Sequence, residues 1–185
     1  MQVEKGPLEG LLIVTPQVFA DDRGFFFESF NAERFAAHGI EVPFVQDNHV
    51  RSVQGTLRGL HFQRGVGQAK LVRCTAGRIW DVAVDIRPDS PTFERWFGIE
   101  LTGESKQMFF VPVGFAHGYA VLSEWAEVLY KCSNVYVPEL EYGFRWNDAA
   151  VGVDWKLESP PLLSKRDVES PSFEDCMSVL AADRA

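Results

Sequence analysis

Short runs in which apolar and polar residues alternate, or in which apolar residues stand together, fill most of the chain. The clearest is Ile79 to Ile86. Trp80, Val82, Val84 and Ile86 fall on one face, and Asp81, Ala83 and Asp85 on the other. That period of two predicts a strand. Leu11 to Val14 (ended near Pro16), Phe93 to Leu101, Gln107 to Val111, Phe115 to Leu122 and Ala126 to Val137 predict further strands. Turn-forming clusters punctuate them, as at Arg87-Pro88-Asp89-Ser90-Pro91. Asp21 to Gly24 reads as a turn before Phe25 to Phe30, and Phe25, Phe26 and Phe27 are expected in the core. Arg64 to Gln68 reads as a hairpin turn, since no Lys-Ser/Thr or helix follows to make it a phosphate loop. Helices are few. Asn31 can cap a helix from Ala32 to His38 that Gly39 would end, and an amphipathic helix near Glu174 to Ala182 should pack on the outside. The prediction is an all-β antiparallel barrel or jelly roll with short peripheral helices.

Composition narrows the class. The chain has 185 residues, enough for one domain over 1–185 with a substantial core. Eighteen basic and 26 acidic residues give a net charge of −8, which argues against nucleic acid or an anionic membrane as partner. No run approaches the ~18 apolar residues of a membrane span. Met1 to Gly10 carries Glu4, Lys5 and Glu9 around no apolar centre, so a secretory signal is not expected. Cys74, Cys132 and Cys176 are odd in number and far apart, which predicts reduced thiols and a cytoplasmic location.

Four histidines are the first candidates for chemistry. His38 follows a helical run and reads as exposed. His49 ends the polar cluster Gln46-Asp47-Asn48-His49. Gln46 and Asn48 share a face there, either as a wall of hydrogen-bonding amides or as the solvated side of a strand. His61, in Leu57-Arg58-Gly59-Leu60-His61-Phe62-Gln63, shares parity with Leu57 and Gln63, and is either a packed core group or a base or ligand. Arg58 has the opposite parity, which a bulge at Gly59 would reconcile. His117 closes Pro112-Val113-Gly114-Phe115-Ala116-His117. This PxGxxH spacing is similar to the second motif of the cupin superfamily, whose first motif normally carries HxH followed by a glutamate. Here that stretch reads His61-Phe62-Gln63. A transition metal wants several converging His or carboxylate ligands, so a cupin-type barrel with no metal and no cofactor is expected.

Seven strings then carry a more specific resemblance. They are Asp22 to Phe26, Phe44 to His49, Leu57 to Gln63, Lys70 to Cys74, Asp81 to Arg87, Ser90 to Phe93 and Val111 to Gly118. In this order they resemble the dTDP-4-dehydrorhamnose 3,5-epimerase family over nearly the whole chain. The resemblance implies inversion of carbons 3 and 5 of a dTDP-linked 4-keto-6-deoxy sugar, both α to the ketone, in dTDP-L-rhamnose biosynthesis. Such chemistry needs a base, a stabiliser for the enolate oxygen and an acid on the other ring face.

The resemblance assigns these roles to His61 as base, Asp167 as the carboxylate orienting it, Lys70 as enolate stabiliser and Tyr130 as acid. It places Tyr136 against the thymine. Arg23, Glu28, Gln46, Asn48, Arg58, His117, Glu141 and Arg166 fall around the nucleotide sugar, with Arg58 and Arg166 suited to the diphosphate. The family usually has Lys just before the aspartate, where this chain has Lys165-Arg166-Asp167. Tyr136 has the parity of Tyr130, so both face inward if one strand runs through them. A homodimer is implied as well. Three readings compete: an epimerase of carbon 3 or carbon 5 alone or a ketoisomerase on another dTDP-4-keto-6-deoxy sugar; a silent sugar-nucleotide binder; and a metal-dependent cupin oxygenase. The intact His61, Asp167, Tyr130 and Lys70 argue against the binder, and Gln63 against the oxygenase.

Overall fold

In the computed structural model, which describes residues 1–182, the alternating run around Val82 becomes strand β8 (Arg78–Asp85), and its two faces serve two different cores. Val82 and Val84 join one apolar cluster, and Ala83 joins another. A strand buried on both sides needs cover on both sides, and the topology supplies it.

In chain order the other strands are β1 (Gln2–Lys5), β2 (Leu12–Thr15), β3 (Phe19–Asp21), β4 (Gly24–Phe26), β5 (Gln46–Val53), β6 (Leu57–Gln63) and β7 (Lys70–Ala76). After β8 come β9 (Trp96–Thr102), β10 (Met108–Val111), β11 (Phe115–Val121), β12 (Trp125–Cys132) and β13 (Glu141–Gly143). One sheet runs β1-β2-β10-β7-β12-β5, a second runs β13-β6-β11-β8-β9, and β3-β4 is a separate hairpin. All these pairings are antiparallel. Between the sheets lie Val72, Phe109, Val121 and Val128, the barrel's interior. Outside the second sheet, Trp155, Phe173 and Cys176 cover Leu60, Phe62 and Val84 in a second core. This is the antiparallel jelly roll that the pattern predicts, with the two-sheet barrel that the PxGxxH resemblance implies.

Helix α1 (Ala32–Ala36) is capped by the Asn31 side chain, as expected, and ends before Gly39, whose φ is 88°. Two more follow, α2 (Lys165–Val168) and α3 (Phe173–Ala182). The last packs outside the barrel but buries Phe173 and Cys176.

Three expectations are corrected. The aromatic run is core only at Phe27, which packs partly buried against the cluster around Val14 and Phe35; Phe25 is 59% and Phe26 70% exposed, because β3 and β4 form a hairpin that joins neither sheet. Residues 64–68 do not close a hairpin, since β6 and β7 belong to opposite sheets and the segment crosses between them. The strand from Ala126 stops at Cys132, so Tyr136 sits in the following loop, 46% exposed, and its strand parity has no meaning.

At the end of β8, fully buried Asp85 accepts hydrogen bonds from Arg87 Nε (2.9 Å), Ser90 Oγ (2.6 Å) and Thr92 Oγ1 (2.7 Å). Burial alone would raise its pKa, but these donors outweigh it and bring the carboxyl to about 2. The group therefore stabilises the fold above the unfolded-state pKa of about 3.9, and that stability is lost as pH falls towards about 2. Asp85→Asn is expected to lower the unfolding free energy at pH 7 by about 2–3 kcal/mol and to flatten the acid limb between about pH 4 and 2. Denaturant melts of both proteins across that range check it.

Candidate active site

A cavity of about 440 Å³ opens between the two sheets. The second sheet contributes Arg58, His61, His117 and Tyr119. The first contributes Gln46, Asn48, Lys70 and Tyr130. Ser164, Arg166 and Asp167 close it from the C-terminal segment. Every site residue expected from the sequence lines this cavity except Arg23 and Glu28. Those two lie at the exposed hairpin and beyond it: Arg23 pairs with Asp21 at 2.6 Å, and Glu28 with Arg34 at 3.3 Å.

The parity conflict at Arg58 resolves through a bulge. Opposite β6, His117 pairs with His61 and Tyr119 with Arg58, so β11 advances two residues while β6 advances three. The extra residue brings Arg58 and His61 to one wall. Glycine is required there. Gly59 has φ 136°, and a Cβ on it would lie 2.6 Å from Gly118 Cα.

Asp167 reaches His61 by way of a short tether. Leu162 bonds Gly55 O (2.8 Å) and Leu57 N (3.0 Å), laying the segment beside the start of β6. Ser164 then caps α2 by accepting from Asp167 N, and its hydroxyl donates to Asp167 Oδ2 at 2.7 Å. The other carboxylate oxygen meets His61 Nε2 at 2.6 Å. Asp167 is 3% exposed and the His61 side chain 26%. Burial pushes the carboxyl's pKa up, but the bonds from His61 and Ser164, with the Gly59 N–H, more than offset this and lower it. An ionised Asp167 holds a proton on Nε2 and leaves Nδ1 able to accept one.

A second pair stands beside the first. His117 Nε2 lies 2.8 Å from Asp81 Oδ1, both buried. Burial raises the Asp81 pKa, and His117 opposes the rise.

Across the cavity, burial lowers the Lys70 pKa, with Cys132 and Glu141 opposing, and its ammonium donates to Gln68 Oε1 at 2.7 Å. Burial raises the Tyr130 pKa, so the phenol keeps its proton. Gln46 and Asn48 do form an amide wall: Gln46 donates to Asn48 at 3.1 Å, and its oxygen accepts Tyr136 N at 2.8 Å. Towards the solvent side, Tyr136 and Arg166 both hydrogen-bond the Glu141 carboxylate. Gln63, at the position of the missing second histidine, clamps this loop through Val137 O (3.0 Å) and Val137 N (3.3 Å).

Sequence reasoning missed Asp81, Tyr119, Ser164 and the role of Gln63. Only Ser164 had a local signal, the Ser-x-x-Asp spacing of a helix cap. The others depend on strand register. Among the described residues, no three His, Cys, Asp or Glu side chains converge as a metal site.

Comparison with known proteins adds independent ground. The family model for dTDP-4-dehydrorhamnose 3,5-epimerase matches residues 5–175. The Salmonella typhimurium enzyme of that description is 49% identical over 179 residues, covering 96% of this chain and 98% of its own. A dTDP-6-deoxy-D-glucose-3,5-epimerase from Legionella pneumophila, solved in complex with dTDP-4-keto-L-rhamnose, is 43% identical. Its TM-score is 0.92, with 98% of this chain and 95% of that one covered. A 3'-monoepimerase from Streptomyces bikiniensis, in complex with dTDP-quinovose, is 33% identical with a TM-score of 0.87, covering 95% of this chain and 89% of its own. With a matching family model over nearly its whole length and a relative at about half identity, the chain belongs to the dTDP-4-dehydrorhamnose 3,5-epimerase family.

Proposed function

We propose that the chain inverts carbons 3 and 5 of a dTDP-linked 4-keto-6-deoxy sugar by proton removal and return across one cavity. The observation that carries this is the placement of a base and an acid on facing sheets. His61, oriented by Asp167, is on the second sheet, and the protonated Tyr130 is on the first. His61 Nδ1 takes the proton α to the ketone, and the C–H electrons move into a C–C double bond as the carbonyl oxygen becomes an enolate. Lys70 supplies the positive charge for that oxygen. Tyr130 returns a proton to the carbon from the other ring face. The resulting phenolate is reprotonated from solvent, and His61 releases its proton.

The nucleotide end belongs at the solvent side, where Tyr136 has a ring to stack and Arg58 and Arg166 have guanidinium donors for the diphosphate. The greater identity to 3,5-epimerases than to the 3'-monoepimerase favours inversion at both carbons. The whole chain works as one unit, since its C-terminal segment supplies both Asp167 and the cover of the second core. A cytoplasmic setting suits three unpaired, buried cysteines. No helix among the described residues is long and apolar enough to cross a membrane.

The working form is a homodimer. Phe19, Phe25 and Phe26 present an apolar patch on a hairpin that joins neither sheet, and such patches mark association surfaces. Arg23 and Glu28, absent from this chain's own cavity, lie on that hairpin and just beyond it, where a second copy could receive them.

Three outcomes follow. His61→Asn is expected to slow solvent deuterium uptake at carbons 3 and 5 by ~10²–10⁴-fold with the fold intact, and Asp167→Asn to lose much of the rate through the wrong tautomer. Tyr130→Phe should impair inversion more than exchange. NMR of uptake beside product stereochemistry reads all three, and wild-type exchange in His61→Asn would overturn the mechanism. A strong chelator should leave turnover unchanged; loss with EDTA and rescue by a divalent metal would contradict this. Light scattering should give twice the chain mass, falling to one chain in a Phe25→Asp/Phe26→Asp variant with loss of activity. A monomeric, active wild type would remove the dimer from the proposal.

A further inference from the structure

Tyr119 lies on the cavity wall between the positions that the family resemblance assigns, and no role falls to it there. It is 4% exposed, and its ring packs in the barrel core. Its hydroxyl lies close enough to Ser52 to feel it, but completes no hydrogen bond of good geometry with any described group. Among the described residues, it is the one cavity-lining side chain whose buried polar atom is left so. The other polar groups of that wall are engaged: His61 with Asp167, His117 with Asp81, and Arg58 with Ser52 Oγ at 3.2 Å. Tyr119 faces Asp81 across the β11–β8 ladder, and Asp81 Oδ2 also completes no bond. Two unsatisfied polar atoms on neighbouring strands are an expensive arrangement for a packed core. Phenylalanine would fill the same space without that cost.

A hydroxyl kept at such a place has a use if a ligand completes it. Burial pushes the Tyr119 pKa up to about 12, with Arg58 and Ser52 opposing, so the group is a neutral phenol able to donate. It shares the second sheet's wall with His61 and His117 and has Arg58 as its cross-strand partner, while Tyr136, Glu141 and Arg166 cluster at the β13 end of that wall. The sugar ring is the part of the substrate that must reach His61. Apart from its ketone, that ring carries hydroxyls as its free polar groups.

Building on the epimerase reading, we propose that Tyr119 contacts the substrate directly, donating a hydrogen bond to a ring hydroxyl of the sugar and so helping to select and seat a hydroxylated hexose beside the base. The interaction acts on the sugar and not on the nucleotide. A hydrogen bond of this kind also penalises a sugar that lacks the hydroxyl, because the phenol is then left buried and unpaired.

The test is Tyr119→Phe, which removes one oxygen and keeps the ring. Four quantities are read: turnover of dTDP-4-keto-6-deoxyglucose, turnover of its 2-deoxy and 3-deoxy analogues, the affinity for dTDP alone, and the melting temperature of the free protein. The expected result is a fall of about tenfold in kcat/KM for the full substrate, the size of one lost hydrogen bond. Affinity for dTDP should stay within twofold, and the melting temperature should be equal or higher, since an unsatisfied hydroxyl has left the core. The wild-type preference over one of the two deoxy analogues should shrink by a similar factor. Unchanged kcat/KM would overturn the proposal. So would an equal loss of dTDP affinity, or a lower melting temperature with loss on all sugars alike, which would make the hydroxyl structural. Failure of the wild-type protein to turn over the full substrate would strike the epimerase reading itself, a result distinct from any of these.

Discussion

Asp167 brings a carboxylate to a place where 3% of it is exposed, and everything at the site depends on that charge being tolerated. Three donors converge on it: the His61 ring, the Ser164 hydroxyl and the Gly59 N–H. Each comes from a different constraint. His61 is on β6, Ser164 caps a helix of four residues, and Gly59 is the bulged residue pressed against β11. An unpaired buried carboxylate would cost several kcal/mol or take up a proton. Either outcome would release the imidazole from its orientation. The strand bulge, the helix cap and the bridge at Leu162 therefore converge on one requirement, a charged Asp167 within reach of one ring nitrogen.

The same bulge decides the wall opposite Tyr130. A regular β6 would send Arg58 and His61 to opposite faces, one into the cavity and one into the core under the C-terminal segment. One extra residue corrects this, and it is possible only because the two strands meet glycine to glycine. A Cβ on Gly118 would lie 2.7 Å from Arg58 O, just as one on Gly59 would meet Gly118. On the other side, a Cβ on Gly143 would come within 2.3 Å of Leu60 O. Strand β6 is thus gripped closely from both neighbours at the stretch that carries the base, which fixes the imidazole's height in the cavity.

What was legible in the sequence follows from what is local. The alternation around Val82 gave β8 and the assignment of its faces, and Asn31 gave the start of α1. The opposed parity of Arg58 and His61, with glycine between them, was enough to expect a bulge. The site could not be assembled from such signals. His61 and Asp167 are 106 residues apart, and only resemblance to a family joined them. The hidden partners, Asp81 for His117 and Tyr119 beside Arg58, depend on β11 lying between β6 and β8, a matter of strand order. The error at Phe25 and Phe26 has the same origin. Hydrophobicity marks a residue as suited to burial, but whether its strand joins a sheet is a matter of topology. The error at Tyr136 is of another kind: a parity argument was carried past Cys132, where the strand ends and the Gln63 clamp on Val137 takes over.

Charge placement on the two walls then separates the tasks of the proposed reaction. The second sheet holds His61 against Asp167, a carboxyl kept ionised by its donors, so that pair can take up a proton without building up net charge. The first sheet holds a lysine and a tyrosine, both disfavoured by burial in their charged forms. For the phenol this is useful, because a hydroxyl that resists ionisation remains ready as a donor until a carbanion draws its proton away. For the lysine the same desolvation makes the ammonium, bonded to the neutral amide oxygen of Gln68, costly until a negative oxygen arrives. An enolate formed at the ketone would relieve that cost where the charge develops, so the environment favours the intermediate over the ground state. A cavity with one wall suited to taking a proton and the other to supporting an anion and returning a proton has the asymmetry that inversion demands. Retention at carbon would need no such division.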